Sequence, residues 1–354
     1  MVSIDHKCGA LSYNILNMKS TTVRTLTLLP LVMAVEVLSL RGGSSSSSDA
    51  NEYVHRPQHE GYDSPFPGMI GSDFLGMNQN IANIWEPFQK DHETAVFFTI
   101  PNSRTADLEA YVSTCLGMVT ANHIGQDYVS NKLEVVSVQD RSYINVNTME
   151  MEGLAHASKL GLGSESVVDL IVSPHLHQVA DQVFNHDRKG RLFTIMRDPV
   201  ERVISLYQYL RGADMKDTYN PSLQHMTLAE FAVNKDFYLD NFMTRHLVGK
   251  ASIEVPLSNQ DVEHAKAVLS HKVLVGLSSQ YKESVNRFTS YFGWDSNETC
   301  FDGLFREEIG TSQLANSEQD SAEIDLIAQA NKFDMLLYDF AVRLFEQQAL
   351  LLEH

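Results

Sequence analysis

Short apolar runs alternate along residues 95–345 with longer stretches in which apolar residues recur every three or four positions. A short apolar run bounded by turn residues is typical of a buried strand, and the longer spacing is typical of an amphipathic helix. The alternation predicts an α/β fold, a mainly parallel sheet flanked by helices. The predicted strands are Ala95–Ile100, Leu133–Val138, Asp169–Val172, Leu192–Met196 and His271–Gly276.

The most informative stretch is the predicted strand Leu192–Met196, which leads directly into a helix. Asp198 suits the N-cap position, Pro199 suits the first helical position, and apolar residues follow at helical spacing. Arg197 therefore stands at the carboxyl end of the strand, where ligands bind in open α/β sheets. Ser205 follows two turns into the helix, about 9 Å along its axis. A guanidinium and a hydroxyl in these positions predict a site for a phosphate dianion.

This stretch, Arg-Asp-Pro-Val-Glu-Arg-Val-Ile-Ser-Leu-Tyr, resembles the 3′-phosphate-binding segment of carbohydrate sulfotransferases, notably the heparan and uronyl 2-O-sulfotransferases. Their sulfuryl donor is PAPS, 3′-phosphoadenosine 5′-phosphosulfate. The resemblance implies that Arg197 and Ser205 hold its 3′-phosphate. The alternative is an ordinary strand–helix unit in which Arg197 caps a carbonyl or pairs with Asp198.

Three later segments also resemble that family, in the family's order, so the resemblance covers roughly residues 95–345. It implies a three-layer fold similar to that of P-loop kinases, and transfer of a sulfuryl group from PAPS to a glycan hydroxyl. The first segment is Asp240–Gly249. The second is a predicted helix and strand that end in Val-Gly-Leu277 and are followed by Glu-Ser284. The third is Phe333–Phe345.

The turn Pro101–Ala106 follows the first strand and precedes a helix predicted from Asp107. A strand–loop–helix unit directs backbone N–H groups and the positive end of the helix at a phosphate. In the sulfotransferases this loop binds the 5′-phosphosulfate, with a pattern like Pro-Lys-(Ser/Thr)-Gly-(Ser/Thr)-(Thr/Ser). The resemblance therefore implies cofactor contacts from Asn102, Ser103, Arg104, Thr105 and Ala106.

This loop departs from the family pattern at two positions. Asn102 replaces the lysine and Arg104 replaces the glycine, whereas Ser103 and Thr105 keep their hydroxyl groups. The lysine stabilises charge as the sulfuryl group transfers, so its loss favours a second hypothesis, a weakened or inactive relative that binds nucleotide or glycan. Arg104 is the candidate catalytic replacement. A nucleotide-dependent kinase is not supported, because the loop lacks the P-loop lysine.

Sulfuryl transfer also requires a base that takes the proton from the acceptor hydroxyl. Histidine is suited by its pKa near neutrality, and the uronyl 2-O-sulfotransferases carry a Gly-His after the corresponding strand. Pro174-His175 occupies that place, so the resemblance implies that His175 is the base. His177 and Arg245 are the predicted acceptor contacts; the alternatives are surface histidines and an arginine with a structural role. No metal is expected, because His175-x-His177 lacks further ligands at convincing spacing.

The amino-terminal region is predicted to lie outside the catalytic domain. Leu26–Leu40 is mostly apolar and follows basic residues, although a membrane span needs roughly 20 residues. The resemblance implies a single-pass type II Golgi membrane protein with a luminal catalytic domain. One alternative is a cleaved signal peptide, which gives a protein of the secretory-pathway lumen or a secreted protein. The other is that the segment is neither an anchor nor a signal peptide. The predicted divisions are a cytosolic tail (1–24), a signal anchor (25–40), a flexible Ser-rich stem (41–71) and the sulfotransferase-like domain (72–354).

The net charge of the chain limits the classes of partner that it can bind. The formal net charge of −18 argues against a nucleic-acid binder, which would present a basic surface, but is compatible with a local basic groove.

Three cysteines are too few for a disulfide scaffold. Cys115 is expected to be a buried free thiol on an apolar helix face, with a Cys115–Cys300 pair as the luminal alternative. Asn297-Glu-Thr299 is a glycosylation sequon, and Glu307–Asp325 is expected to be a solvated acidic loop. The oligomeric state stays open.

Overall fold

The computed structural model describes residues 75–127, 130–164, 166–212, 221–305 and 321–352, all within one structural unit. The predicted tail, anchor and stem, residues 1–71, lie outside these ranges. Within them, no helix combines the length and the hydropathy that crossing a membrane requires.

Seven strands form one sheet in the order β3-β4-β2-β5-β1-β6-β7. All neighbouring pairs are parallel except β3 and β4, so the predicted mainly parallel α/β sheet is confirmed. The central strand β1 lies between β5 and β6. The strands are β1 (Glu93–Phe98), β2 (Thr120–Ala121), β3 (Val135–Val138), β4 (Arg141–Ile144), β5 (Leu170–Ser173), β6 (Lys189–Met196) and β7 (Val273–Leu277).

Helices cover both faces of this sheet. Successive side chains of a strand point to opposite faces, and in β1 Ala95 and Phe97 join one buried apolar cluster while Val96 and Phe98 join the other. The helices are α1 (Leu75–Asn80), α2 (Thr105–Thr114), α3 (Met151–Lys159), α4 (Leu176–Gln178), α5 (Pro199–Arg211), α6 (Leu228–Val233), α7 (Phe242–Leu247), α8 (Asn259–Lys272), α9 (Tyr281–Phe292), α10 (Glu298–Phe305), α11 (Ser321–Ala330) and α12 (Lys332–Gln348).

Several boundaries differ from the sequence-based prediction. No strand or helix was predicted for the stretch Tyr143–Glu152, yet it contains the end of β4 and the start of α3. The acidic stretch to Asp325 is not loop throughout, because Ser321–Ala330 forms α11 and buries Ile327. Its earlier part, 307–320, lies outside the described residues.

The expectation of a free thiol at Cys115 is wrong, because Cys115 and Cys300 form a disulfide. Cys115 follows α2 directly, and α10 covers the apolar face of that helix. The rings of Tyr111 and Phe301 pack with centroids 5.4 Å apart. This packing brings the two cysteine Cα atoms to 5.7 Å, within the range that a disulfide requires.

Candidate functional site

The carboxyl ends of β5, β1 and β6 lie side by side. The Thr99 N–H donates to the Ser173 carbonyl at 3.1 Å, and the Thr194 hydroxyl donates to the Phe98 carbonyl at 2.6 Å. Adjacent strands lie about 4.8 Å apart, so β5 and β6 are separated by roughly 10 Å across β1. The segments that follow these strands therefore share one rim, where the strand order reverses and α/β folds bind their ligands.

The loop after β1 has an unusual backbone. Asn102 and Arg104 have φ angles of 61° and 60°, which non-glycine residues seldom adopt, whereas the φ of Ser103 between them is not positive. Alternation of this kind turns successive N–H groups toward one concavity that binds anions. The glycine of the family pattern would suit the Arg104 conformation without strain. Strain of this kind is typical of functional sites.

The hydroxyl groups of this loop lie in different surroundings. The Thr105 hydroxyl donates to the Ile100 carbonyl at 3.2 Å and helps to fix the turn. Ser103 is fully buried, and its hydroxyl has no hydrogen-bond partner among the described residues. An unpaired buried hydroxyl costs about 1–3 kcal/mol, which a bound anion or water would recover. Ala106 is exposed in the first turn of α2.

Arg104 is held by neighbours within the protein. Its Nε lies 2.6 Å from an Asp107 carboxylate oxygen, and its guanidinium carbon lies 4.2 Å from the centre of the Tyr281 ring. The Phe305 ring is 5.9 Å away on α10. The side chain is 26% exposed, so a ligand can still reach it. To stabilise charge on a transferring group, the guanidinium has to reach that group from its present position or give up these contacts.

Arg197 joins the end of β6 to the loop after β1. Its Nη1 donates to the Asn102 carbonyl at 3.0 Å, and its Nε faces a Glu201 oxygen at 3.3 Å. Asp198 does not pair with it but caps α5, accepting from the Val200 and Glu201 N–H groups. One of the alternative interpretations thus holds in part: Arg197 does bind a carbonyl, but that carbonyl belongs to the predicted phosphate loop.

Ser205 lies on α5, about one turn beyond Glu201. Glu201 contacts Arg197, and Glu201 and Ser205 are neighbours on α5 because positions four apart on a helix share a face. Ser205 is partly buried, and no hydrogen bond joins it to Arg197 in the described structure. Burial raises the pKa of Tyr338 on α12, and the hydrogen bond with the Ser279 side chain and the charge of Arg197 lower it in part. Tyr338 lies in the segment Phe333–Phe345, in which no site residue was predicted.

His175 lies on the other side of the loop, after β5. Its Nε2 is 3.1 Å from the Met149 carbonyl. A carbonyl oxygen can only accept, so Nε2 carries the proton and Nδ1 keeps a lone pair. Burial lowers the pKa of His175, while the Met149 carbonyl and the Glu150 charge raise it in part. The imidazole is therefore neutral near pH 7 and has a nitrogen that can accept a proton.

His177, a predicted acceptor contact, instead joins the β5 turn to α7. Its Nε2 lies 3.1 Å from the Leu247 carbonyl, and in return His246 Nδ1 lies 3.2 Å from the Pro174 carbonyl. Burial lowers the pKa of His246 to about 3, so this histidine stays neutral. Gly249, with φ +70°, comes close to the His177 ring, and a Cβ there would lie 3.4 Å from Nε2. The histidine pair therefore has a structural role.

Arg245 also has a structural role. It is 4% exposed, and its Nε and Nη2 lie 2.8 Å from an Asp240 carboxylate oxygen. Its Nη1 donates to the Ser252 and Val255 carbonyls, both at 2.7 Å. The guanidinium fixes the loop after α7 and has little surface left for a sugar, contrary to its predicted contact with an acceptor.

The structure adds polar residues near His175 that sequence reasoning missed. Asn122 and His123 follow β2, and the Asn122 amide donates to a Glu109 carboxylate oxygen at 2.8 Å. Burial raises the pKa of Glu109 to about 7. Glu150 raises the pKa of both His123 and His175, which burial lowers. Because β2 has only two residues, no apolar run marked the strand that positions Asn122 and His123.

Among the described residues, no group of three or more histidine, cysteine or acidic side chains is arranged to hold a metal ion. Comparison with known proteins adds no identification. No protein-family model matches this chain, and no curated protein is significantly similar to it in sequence.

Proposed function

We propose that this protein transfers a sulfuryl group from PAPS to a hydroxyl group of a glycan. The observation that carries the proposal is the 3.0 Å hydrogen bond from Arg197 to the Asn102 carbonyl. This bond places a guanidinium beside a loop whose backbone suits a phosphate. A nucleotide with phosphates at both the 3′ and 5′ positions of its ribose needs two such sites close together.

The nucleotide would contact the rim at two places, the end of β6 with α5 and the loop after β1. Arg197 and Ser205 hold the 3′-phosphate, displacing the Glu201 carboxylate from Arg197. The 5′-phosphosulfate lies against the loop after β1. There the buried Ser103 hydroxyl and the first N–H groups of α2 supply hydrogen-bond donors.

The transfer is an in-line displacement. The acceptor oxygen forms a bond to sulfur while the bond between sulfur and the bridging phosphate oxygen breaks, and 3′,5′-ADP leaves. The proton of the acceptor hydroxyl passes to His175 Nδ1, which the Met149 contact leaves as the acceptor nitrogen. Arg104 stabilises charge on the bridging oxygen in place of the family's lysine.

The contacts of Arg104 favour one alternative, a protein that binds the nucleotide or glycan with weak or no turnover. Its guanidinium is already bound to Asp107 and stacked on Tyr281. If these contacts persist with the nucleotide bound, the bridging oxygen lacks its cation. Arg197 and Ser205 are the same in both hypotheses, so nucleotide binding alone does not separate them.

The disulfide supports the proposed location of the domain in the lumen of the secretory pathway. Structural disulfides persist in oxidising compartments, which include the secretory pathway. The sequon residue Asn297 is exposed, directly before α10 and three residues before Cys300. Both features suit a luminal domain, and we propose the Golgi lumen, with a type II anchor at residues 25–40, as its location.

The binding test is isothermal titration of the domain with 3′,5′-ADP. We expect Arg197→Ala to weaken binding by at least about tenfold, the scale of one charge-assisted phosphate contact. Arg343→Ala removes an exposed arginine of α12 and should leave the affinity unchanged. Absent binding in the unaltered domain, or equal affinity in Arg197→Ala, would reject the nucleotide site.

The turnover test is transfer of radiolabelled sulfate from PAPS to a panel of glycans. His175→Ala should abolish labelling while 3′,5′-ADP still binds, because the base contacts the acceptor and not the nucleotide. Binding of 3′,5′-ADP without labelling of any glycan would support the non-catalytic alternative.

A further inference from the structure

Both arginines assigned to the nucleotide contact a carboxylate of the helix that follows them. Arg104 Nε lies 2.6 Å from an Asp107 oxygen, and Asp107 is in the first turn of α2. Arg197 Nε lies 3.3 Å from a Glu201 oxygen, and Glu201 is in the first turn of α5. The rim therefore repeats one arrangement, in which an arginine before a helix pairs with an acidic residue three or four positions later.

These two ion pairs are more accessible than the buried pair of the sheet. The side chains of Arg191 and Glu93 are 0% and 7% exposed, whereas the four side chains of the rim pairs are between 21% and 30% exposed. A partly exposed ion pair contributes little to stability, so its two side chains can separate at a small cost. A ligand can therefore displace either rim carboxylate without opening the core.

Each carboxylate lies beside a group that the proposed function assigns to a phosphate. Asp107 is at the amino end of α2, where the helix N–H groups attract an anion. Arg197 binds the Asn102 carbonyl through Nη1 at 3.0 Å, while its Nε faces Glu201. A phosphate that takes Nε from Glu201 can therefore leave the bond between Arg197 and the loop after β1 in place.

We propose that Asp107 and Glu201 compete with the two phosphates of the nucleotide and thereby select for a ligand phosphorylated at both ends. This inference rests on the proposed nucleotide site. Each carboxylate binds its arginine until a phosphate takes its place. A phosphate carries a charge of about −1.5 to −2 at pH 7 and can replace a carboxylate, whereas an uncharged group cannot offset the loss of the ion pair. The carboxylates thus give specificity by opposing other ligands, not by adding a contact.

The test measures the affinities of 3′-AMP, 5′-AMP and 3′,5′-ADP by isothermal titration. Glu201→Gln should tighten the binding of 3′-AMP and 3′,5′-ADP by about three- to tenfold and leave 5′-AMP unchanged, because it removes only the competitor at Arg197. Asp107→Asn should tighten the binding of 5′-AMP and 3′,5′-ADP to a similar extent and leave 3′-AMP unchanged. Glu346→Gln removes one negative charge from an exposed position of α12 and should change none of the three affinities.

The outcomes separate the competition from the nucleotide site itself. Unchanged or weaker binding of 3′,5′-ADP by Glu201→Gln and Asp107→Asn would overturn the competition, since the carboxylates would then orient the arginines or have no role, and the nucleotide site would stand. Equal tightening of 3′-AMP and 5′-AMP by either variant would also overturn it, because that result reflects net charge alone. If neither the unaltered protein nor the variants bind any of the three nucleotides, the proposed function fails, and the competition with it.

Discussion

Single side chains at the rim were predicted from the sequence as ligand contacts, and their environments in the structure differ sharply. Arg197 and Arg245 were both candidate ligand contacts in the sequence. Arg197 is 21% exposed and bonds a loop that can receive a phosphate, whereas Arg245 is buried and bound to the protein. Burial and hydrogen-bond partners, which sequence spacing does not show, distinguish the two: Arg245 has a structural role, whereas Arg197 keeps surface that a ligand can reach.

Glu109 leads to a prediction about stability and pH. Burial raises its pKa from 4.5 to about 7, so the folded protein holds this proton more tightly than the unfolded chain. The resulting stabilisation is complete below about pH 4.5 and is lost as the pH rises through about 7. Glu109→Gln cannot ionise and still accepts from Asn122. We therefore expect its free energy of unfolding, relative to the unaltered protein, to increase between about pH 5 and pH 8.

The increase should reach about 3 kcal/mol at most, since one pKa unit corresponds to about 1.4 kcal/mol. Urea unfolding at the two pH values measures it. Glu346→Gln, which removes an exposed carboxylate, should show no such trend. A constant difference between Glu109→Gln and the unaltered protein across this range would contradict the raised pKa.

Residue-level prediction was confirmed for local structure, the end of β6 and the start of α5. Arg197, Asp198, Pro199 and Ser205 are consecutive or nearly so, and the strand end and N-cap that position them are local features. The Asp198 cap was predicted correctly. Glu109 and His123 could not be predicted as neighbours of His175, because they converge only after β2 and β5 pair.

At the scale of elements, close approach between helix and strand requires particular small residues. Gly276 of β7 is an example, because a Cβ there would lie 2.6 Å from the Phe288 ring and 2.9 Å from the Ser284 Cβ of α9. Ser284 in turn bonds Leu277 through its hydroxyl at 2.8 Å. The Val-Gly-Leu sequence therefore fixes how α9 packs against β7.

We predict opposite effects of alanine at two glycines. Gly276→Ala should destabilise the protein by about 1–3 kcal/mol, because the methyl group overpacks a buried interface. Gly303→Ala should stabilise it by up to about 1 kcal/mol, since Gly303 lies in α10 with open space around it and alanine favours helices. Urea denaturation measures both. A neutral or stabilising Gly276→Ala would contradict the close packing of α9 on β7.

Element prediction failed where the signal was short or came from distant parts of the chain. β2 has two residues, too few for a hydrophobic pattern. α10 was not predicted, and without it the partner of Cys115 was hidden, since 185 residues separate the two cysteines. Long apolar runs such as β6, by contrast, were predicted within a few residues of their observed ends.

At the scale of the whole molecule, a buried ion pair and the candidate site lie at opposite ends of the sheet. Arg191 lies near the amino end of β6 and is fully buried. Its guanidinium pairs with Glu93 of β1 at 2.7 Å and bonds Tyr291 of α9 at 2.7 Å. It also donates to backbone carbonyls of the segment before β1. One side chain thereby joins two central strands, a helix and the entry to the sheet.

We predict that Arg191→Met destabilises the domain by about 3–5 kcal/mol, because it leaves the buried Glu93 carboxylate without its partner. Adding Glu93→Gln should recover part of this loss, as coupling across a buried pair requires. Arg343→Met, at an exposed position, should cost little. Below the unfolding transition, all these variants should bind 3′,5′-ADP as the unaltered domain does, since Arg191 and the rim lie at opposite ends of β6. Additive losses in the double variant would contradict the coupling of Arg191 with Glu93. Weaker nucleotide binding by the folded Arg191→Met protein would show that the two ends of β6 are not independent.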